Sequence, residues 1–310
     1  MTRLLRICAA WLGLLAFFPA MAQQPGAPAT PGTPAGIRRI ADLPYGPDAR
    51  QRMDVYLPAN AHGAPVLVMV HGGAWMFGDK AAASVIDLKV EHWVRDQGFI
   101  LVSVGYRFVP QVDVLQQAQD VARAVATAQA SAPSWGGDAG RFVLMGHSAG
   151  AHLVALLGAS PDIARQQGAR PWLGTIALDS AALDTTGLMR RRHMNFYDRV
   201  FGSDPALWRA VSPTDTLAPS AAPVLLVCST QRRDGSCTQS QQFATRVAAT
   251  GGRAEVLPED LSHAQINAEL GLPGGYTAAV DAFVRSVGAQ GAKATTGALG
   301  AQGAIGKPQS

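Results

Sequence analysis

The sequence predicts an α/β fold: a mostly parallel β-sheet with helices on both faces and a small helical cap insertion. Three observations predict it. Short apolar, β-prone runs alternate with stretches of helical period along most of the chain. One run, Arg141–Met145, enters Gly146-His147-Ser148-Ala149-Gly150 and continues into the apolar stretch Ala151–Leu157, which reads as strand, sharp turn and helix. A second run, Val66–Val70, ends in His71-Gly72-Gly73-Ala74-Trp75. With 310 residues and 48% hydrophobic content, the chain can bury one large core.

The N-terminus reads as a secretory signal over residues 1–22. Arg3 and Arg6 supply its charge, Ile7 to Phe18 an apolar core too short for a membrane span, and Ala20-Met21-Ala22 a small-residue cleavage site. Export to the periplasm or medium is therefore expected, with no stable membrane span after cleavage. Residues 23–37, rich in Pro, Ala and Gly, read as a linker. The folded domain is expected over 38–287, and the Gly/Ala-rich residues 288–310 as a disordered tail.

Within the domain, Met53, Val55 and Leu57 alternate with Asp54 and Tyr56, the pattern of an outer antiparallel strand. Val66–Val70 is a buried strand by its unbroken apolar run. Ala82–Asp96 reads as a helix stopped by Gln97-Gly98, Phe99–Val104 as a strand, and Gln116–Ala130 as a helix with Val121, Val125 and Ala128 on one side. After the Phe142–Met145 strand, Thr175–Leu178, Val224–Cys228 and Ala254–Leu257 read as further strands. Ser240–Thr250 and Tyr276–Val287 are the helices beside them. Residues 183–217 carry no strand pattern. They mix Met189, Phe196, Tyr197, Phe201 and Trp208 with basic residues, and are expected to form a cap over the C-terminal edge of the sheet, where ligands bind.

Two of these turns carry chemistry. A serine at the tip of a strand–turn–helix stands clear of the sheet, so Ser148 is the candidate nucleophile, with Gly146 and Gly150 removing side chains that would clash. A glycine loop after an earlier strand lets backbone N–H groups approach a developing oxyanion. The expected donors are the amides of Gly73, Ala74 and Ala149, with Gly72 as the nearest rival. Trp75, beside that loop, and His147, beside the serine, are candidate substrate contacts. His71 is expected to orient the loop.

On His71 to Trp75, Gly105-Tyr106-Arg107, Asp138 to Arg141 and Gly146 to Gly150, the chain resembles the α/β-hydrolases of the esterase/lipase type. It lies near bacterial esterases and kynurenine-formamidase-like proteins, over roughly Arg38 to Arg285. The resemblance implies a serine, an acid and a histidine in that chain order. His263 follows the late strand and is the expected general base. Asp234 is the carboxylate in the loop after Val224–Cys228 and is the expected acid. Glu259, Asp260 and Asp179 are its rivals. His152 is expected to pack within its helix, and His193 to lie on the surface.

Cys8 leaves with the signal, and Cys228 and Cys237 remain as a pair expected to form a disulfide around Asp234. The net charge of +4 comes with no basic stripe interleaved with aromatics, which argues against nucleic-acid binding. No metal-ligand spacing or cofactor motif occurs, so no metal and no cofactor is expected. The expected function is hydrolysis of small to medium carboxylic esters through an acyl-serine. Two other functions fit the same pattern: arylformamide or amide hydrolysis by the same triad, and non-catalytic binding by a protein of this fold.

Overall fold

The structure, a computed structural model, describes residues 36–219 and 221–289. The expected signal, most of the expected linker and nearly all of the expected tail fall outside the described residues. Among the described residues there is one eight-stranded sheet, in the order β1-β2-β4-β3-β5-β6-β7-β8. Its strands are β1 (Ile37–Pro44), β2 (Arg52–Pro58), β3 (Ala64–Val70), β4 (Ile100–Val104), β5 (Gly137–His147), β6 (Gly174–Leu178), β7 (Val224–Ser229) and β8 (Ala254–Glu259). β2 runs antiparallel to both β1 and β4, and the other pairs are parallel.

The helices are α1 (Ala83–Lys89), α2 (Val114–Ser131), α3 (Ala149–Ala159), α4 (Pro161–Gln166), α5 (Thr185–Arg190), α6 (Phe196–Phe201), α7 (Pro205–Ala210), α8 (Ser236–Ala249), α9 (His263–Ala268) and α10 (Gly275–Ser286). A π-helical turn, Val90–Asp96, prolongs α1. Helices cover both faces because every second residue of a central strand points the same way. In β3, Val66, Val68 and Val70 join the core beneath α2 and α3, with Val121, Val125, Leu153 and Leu157. Leu67 and Met69 join the opposite core with Trp93, Val94, Val280 and Phe283.

Several expected boundaries are corrected. The sheet begins at Ile37, so the linker ends sooner than expected and β1, not the segment at Met53, is the outer strand. Having neighbours on both sides, β2 buries Asp54 and Tyr56 as well as Met53 and Val55. Asp54 is neutralised there by Arg39 at 2.7 Å and Lys80 at 3.1 Å. At the other end, Gly288 and Ala289 continue the domain, their N–H groups bonding to Arg285 and Val284.

Six parallel strands point their C-terminal ends to one edge, and the loops that follow hold the residues singled out from sequence. The ladder extends one residue past the strand ends. The N–H of Ser148 donates to Leu178 O at 2.9 Å, and that of Asp179 to Val227 O at 2.8 Å. The register of β5, β6 and β7 thus places Asp179 beside the serine turn.

Candidate active site

Ser148 sits at φ 57° and ψ −114°, a strained conformation for a residue with a side chain, directly before α3. The flanking glycines permit it. A Cβ on Gly150 would meet Val70 O at 2.2 Å and His71 O at 2.6 Å, so only glycine lets α3 start this close to β3. One on Gly146 would meet Gly150 O at 2.3 Å. The helix that follows is buried throughout. Its His152 is a packing residue, with Nε2 on Val211 O at 2.7 Å and Nδ1 accepting from Trp75 Nε1 at 3.3 Å. Burial pushes its pKa down to about 4, which keeps it neutral for both bonds.

His263 begins α9 rather than lying in a loop. Ser262 and Gln265 cap that helix reciprocally, each side chain bonding to the other's backbone N–H. Ser262-His263-Ala264-Gln265 has the spacing of a capping box, a sequence signal for this helix start. The His263 Nδ1–H donates to Asp179 Oδ2 at 2.6 Å, which leaves Nε2 as the ring's available lone pair. Ser148, His263 and Asp179 line one cavity.

The carboxylate on His263 is therefore Asp179, and the expectation of Asp234 is corrected. Asp179 has a fully buried side chain and a φ of 60°. Its Oδ1 accepts from the Ser229 N–H at 3.0 Å, and its Oδ2 from Arg232 Nη1 at 3.0 Å. Burial alone would raise its pKa. The His263 hydrogen bond, the Arg232 charge and the Ser229 amide together hold it well below the usual carboxylate range. Asp234 instead accepts from Arg232, at 2.9 Å from Nε and through a second contact from Nη2. Its loop leaves the sheet one strand further from Ser148, which is why its carboxylate meets the guanidinium. The chain order serine, acid, histidine is unchanged. Neither Glu259 nor Asp260 meets the imidazole: the Asp260 carboxylate accepts from Gln231 at 3.2 Å.

The Cys228–Cys237 disulfide is present, joining the end of β7 to the start of α8. It closes the loop as expected, but the group this loop delivers to the site is Arg232. Its partner pattern was not legible in sequence, where Arg232-Arg233-Asp234-Gly235 reads as a charged turn.

The glycine loop packs against the serine turn. A Cβ on Gly72 would lie 3.0 Å from Ser148 Cβ. Gly73, Ala74 and Trp75 all have positive φ, at 122°, 47° and 59°, and a Cβ on Gly73 would meet Phe77 O at 1.9 Å. The Gly73 carbonyl is drawn inward by the N–H groups of Met76 and Phe77, at 2.9 and 3.0 Å. Ala149 is the first residue of α3, so its N–H has no acceptor within the helix. Gly73, Ala74 and Ser148 line the cavity together. His71 holds the loop as expected: it is buried, stacks on Tyr106 at 4.5 Å, and its Nδ1–H donates to Gly72 O at 2.6 Å.

His147 lines the cavity, but its own contacts are with His263. The rings lie 4.5 Å apart, and its Nε2–H donates to His263 O at 2.9 Å. Burial, and then the neighbouring His263, push its pKa down to about 3. Behind it, Lys89 is fully buried and donates to Asn267 O of α9 at 2.6 Å, and burial lowers its pKa to about 7. Trp75 lines the cavity and packs edge-on against Phe201 of α6 at 5.1 Å, tying the glycine loop to the cap.

Residues 183–217 do form a helical insertion, α5 to α7, and Met194, Phe196 and Tyr197 from it wall the cavity. The cavity holds about 590 Å³. Phe77, 62% exposed, and Met194, 49% exposed, stand on its lining as large apolar side chains open to solvent. His193 lies outside this lining, paired with Asp198 at 3.0 Å. Among the described residues, no cluster of His, Cys, Asp and Glu is placed to hold a metal ion, and no helix is long and apolar enough to cross a membrane.

The BD-FAE family model matches residues 53–247, which include the glycine loop, the serine turn, Asp179 and Arg232. The chain belongs to the BD-FAE family. It is similar to Esterase LipQ of Mycobacterium tuberculosis, 30% identical over 71% of this chain and 56% of the relative. Isoprenylcysteine alpha-carbonyl methylesterase ICME of Arabidopsis thaliana is 36% identical over 38% of this chain and 27% of the relative. Kynurenine formamidase of Danio rerio is 31% identical over 38% of each. The chain thus spans 56% of the LipQ relative and well under half of the other two. Two solved structures show the same α/β-hydrolase fold. Esterase B from Lactobacillus Rhamnosis has a TM-score of 0.65 at 19% identity, covering 88% of this chain and 90% of that one. Thermogutta terrifontis esterase 2 has a TM-score of 0.66 at 21% identity, covering 83% and 96%.

Proposed function

We propose that this BD-FAE member is an exported serine carboxylesterase acting on small to medium, largely apolar esters. The observation that carries this reading is the convergence of a strained Ser148 and the His263–Asp179 pair on one cavity beside a positive-φ glycine loop.

In the first half-reaction, His263 Nε2 removes the Ser148 proton as Oγ attacks the ester carbonyl carbon. The carbonyl π electrons move to oxygen, where the amides of Gly73, Ala74 and Ala149 stabilise the charge. Asp179 holds the Nδ1–H tautomer and stabilises the imidazolium. The tetrahedral intermediate collapses, the C–O bond to the alcohol breaks, and His263 returns the proton to the leaving alkoxide. Water, deprotonated by the same nitrogen, then attacks the acyl-serine. The carboxylic acid leaves, and Ser148 recovers its proton.

Phe77, Val85, Met194 and Phe196 offer apolar contact to the acyl or alcohol group, and Trp75 and Tyr197 bound the cavity beneath the cap. A cavity of this size suits acyl chains of about two to eight carbons rather than long-chain triglycerides. The names of the relatives and structural neighbours support an ester substrate. Export is supported by the leader-like residues 1–22 and by the disulfide, a bond that persists in oxidising compartments.

A p-nitrophenyl ester series on the purified protein tests the reading, with Ser148→Ala as control and fluorophosphonate labelling read by peptide mass spectrometry. Turnover should peak at short to medium acyl chains, vanish in Ser148→Ala, and be blocked by a label on Ser148. Turnover that survives Ser148→Ala would refute it. The similarity to a kynurenine formamidase favours one second reading, hydrolysis of an N-formyl arylamide by the same residues. Fast deformylation with negligible ester hydrolysis would select it.

A further inference from the structure

Arg232 takes no part in the proton transfers of ester hydrolysis, yet it is the group most tightly built into the site. Its Nη1 donates to Asp179 Oδ2 at 3.0 Å and to Asp179 O at 2.9 Å. Its Nε and Nη2 grip both oxygens of Asp234. A planar guanidinium with five donors can hold two carboxylates at once in fixed directions, as an ammonium cannot. The loop carrying it is closed at both ends by Cys228–Cys237. Ser229, at its base, is fixed by a hydroxyl bond to Leu261 O at 2.5 Å, and Gln231 by a bond to Asp260 O at 3.1 Å.

Nη1 also lies 3.0 Å from His263 Nδ1. With the Nδ1 proton given to Asp179, this contact sets two donors side by side and is not a hydrogen bond. It places a permanent positive charge against the imidazole edge. The other groups around His263 are Asp179 at the end of β6, His147 at the end of β5, Lys89 from α1 behind His147, and Asp234 on the far side of the guanidinium. Asp260, just before α9, is held on Thr230 and Gln231.

We propose that Arg232 is a positioning residue for the Ser148–His263–Asp179 site. It clamps the Asp179 carboxylate in register with His263, so that the Nδ1–H bond is held in place. Asp234 aims the guanidinium, and the disulfide-closed loop anchors both. The catalytic roles in this inference rest on the esterase reading.

Two measurements on Arg232→Gln, Arg232→Lys and Asp234→Asn test it: kcat and KM for p-nitrophenyl butyrate, and the NMR signal of the His263 Nδ1–H bonded to Asp179, which needs no turnover. In Arg232→Gln that signal should shift or broaden away, because an unclamped carboxylate no longer holds the Nδ1–H bond. Its kcat should fall about 10- to 100-fold with KM within about twofold, the signature of a misaligned acid. Arg232→Lys should not restore kcat, because an ammonium lacks the fork. Asp234→Asn should lower kcat about fivefold with KM unmoved. An unchanged His263 Nδ1–H signal in Arg232→Gln would overturn the proposal even if ester turnover by Ser148 stood. If Arg232→Gln does not fold, unchanged kcat in both Arg232→Lys and Asp234→Asn would overturn it. A wild type without esterase activity would sink the esterase reading alone, and the Nδ1–H signal would then decide whether Arg232 holds the carboxylate.

Discussion

Two aspartates follow neighbouring strands, and only one meets the histidine. Asp179, after β6, is buried, strained at φ 60°, and bonded to His263, Arg232 and the Ser229 amide. Asp234, after β7, is half-buried in a charged turn and bonded to Arg232. Both lie between the serine and the histidine in the chain, so chain order does not separate them. What separates them is how far each loop begins from Ser148 across the sheet, and whether the surroundings supply donors for a buried carboxylate. A buried carboxylate with three donors is a built feature. One in a solvent-facing pair aims another group.

The largest expected difference is between their amides. Asp179→Asn should lower kcat by about 10³- to 10⁴-fold, because the imidazole loses its tautomer and its countercharge. Asp234→Asn should cost about tenfold or less. Steady-state kinetics on the two variants, side by side, would break the comparison if the order were reversed.

A smaller effect is expected at His147, which packs against the His263 ring and bonds to its backbone carbonyl. His147→Ala removes a ring packed at a tilt on His263 and the donor to His263 O, so kcat should fall about tenfold while fluorophosphonate still labels Ser148. Loss of labelling would mean that His147 shapes the serine turn itself.

The disulfide sharpens the contrast further, since it belongs to the Asp234 loop alone. Cys237→Ser should lower kcat a few-fold, through Arg232, and lower Tm by a few degrees, on the order of 2–3 kcal/mol for a short closed loop. A variant with full activity and unchanged Tm would detach the loop from the site.

The smallest catalytic effect is expected at Lys89, a buried cation that, unlike Arg232, has no carboxylate partner among the described residues. Its pKa is lowered from 10.5 to about 7 by burial, so the folded state is penalised for the charged form. That penalty is full below about pH 7 and disappears as pH rises toward 10.5. Lys89→Met should therefore raise Tm by several degrees at pH 6–7, and the gain should shrink by pH 10. Thermal melts across that range check it, and a gain that grows with pH would contradict the assignment.

Much of this molecule was legible without coordinates. The β3 and β5 runs, the helices after them, the glycine loop and the serine turn are local patterns. Their signal is hydrophobic period and the steric need for glycine at Gly146 and Gly150. His263 was legible from its place after the last strand, and the disulfide from cysteine parity in a chain with a leader-like start. β1 was missed because its residues alternate weakly and are half-exposed, so apolar period barely marks an edge strand. Asp179 ranked below Asp234 because sequence shows that a carboxylate follows a strand but not which strand lies beside the serine.

The sequence alone determined the fold class, the serine turn and the glycine loop, because those depend on neighbours along the chain, while the order of serine, acid and histidine came from the resemblance to α/β-hydrolases. Tertiary structure alone decided which aspartate meets His263, that Arg232 stands between the two aspartates, and that His147 packs against His263. These follow from the register of β5, β6 and β7, which sets Asp179 beside Ser148 through hydrogen bonds between strands distant in sequence. No local pattern encodes that adjacency.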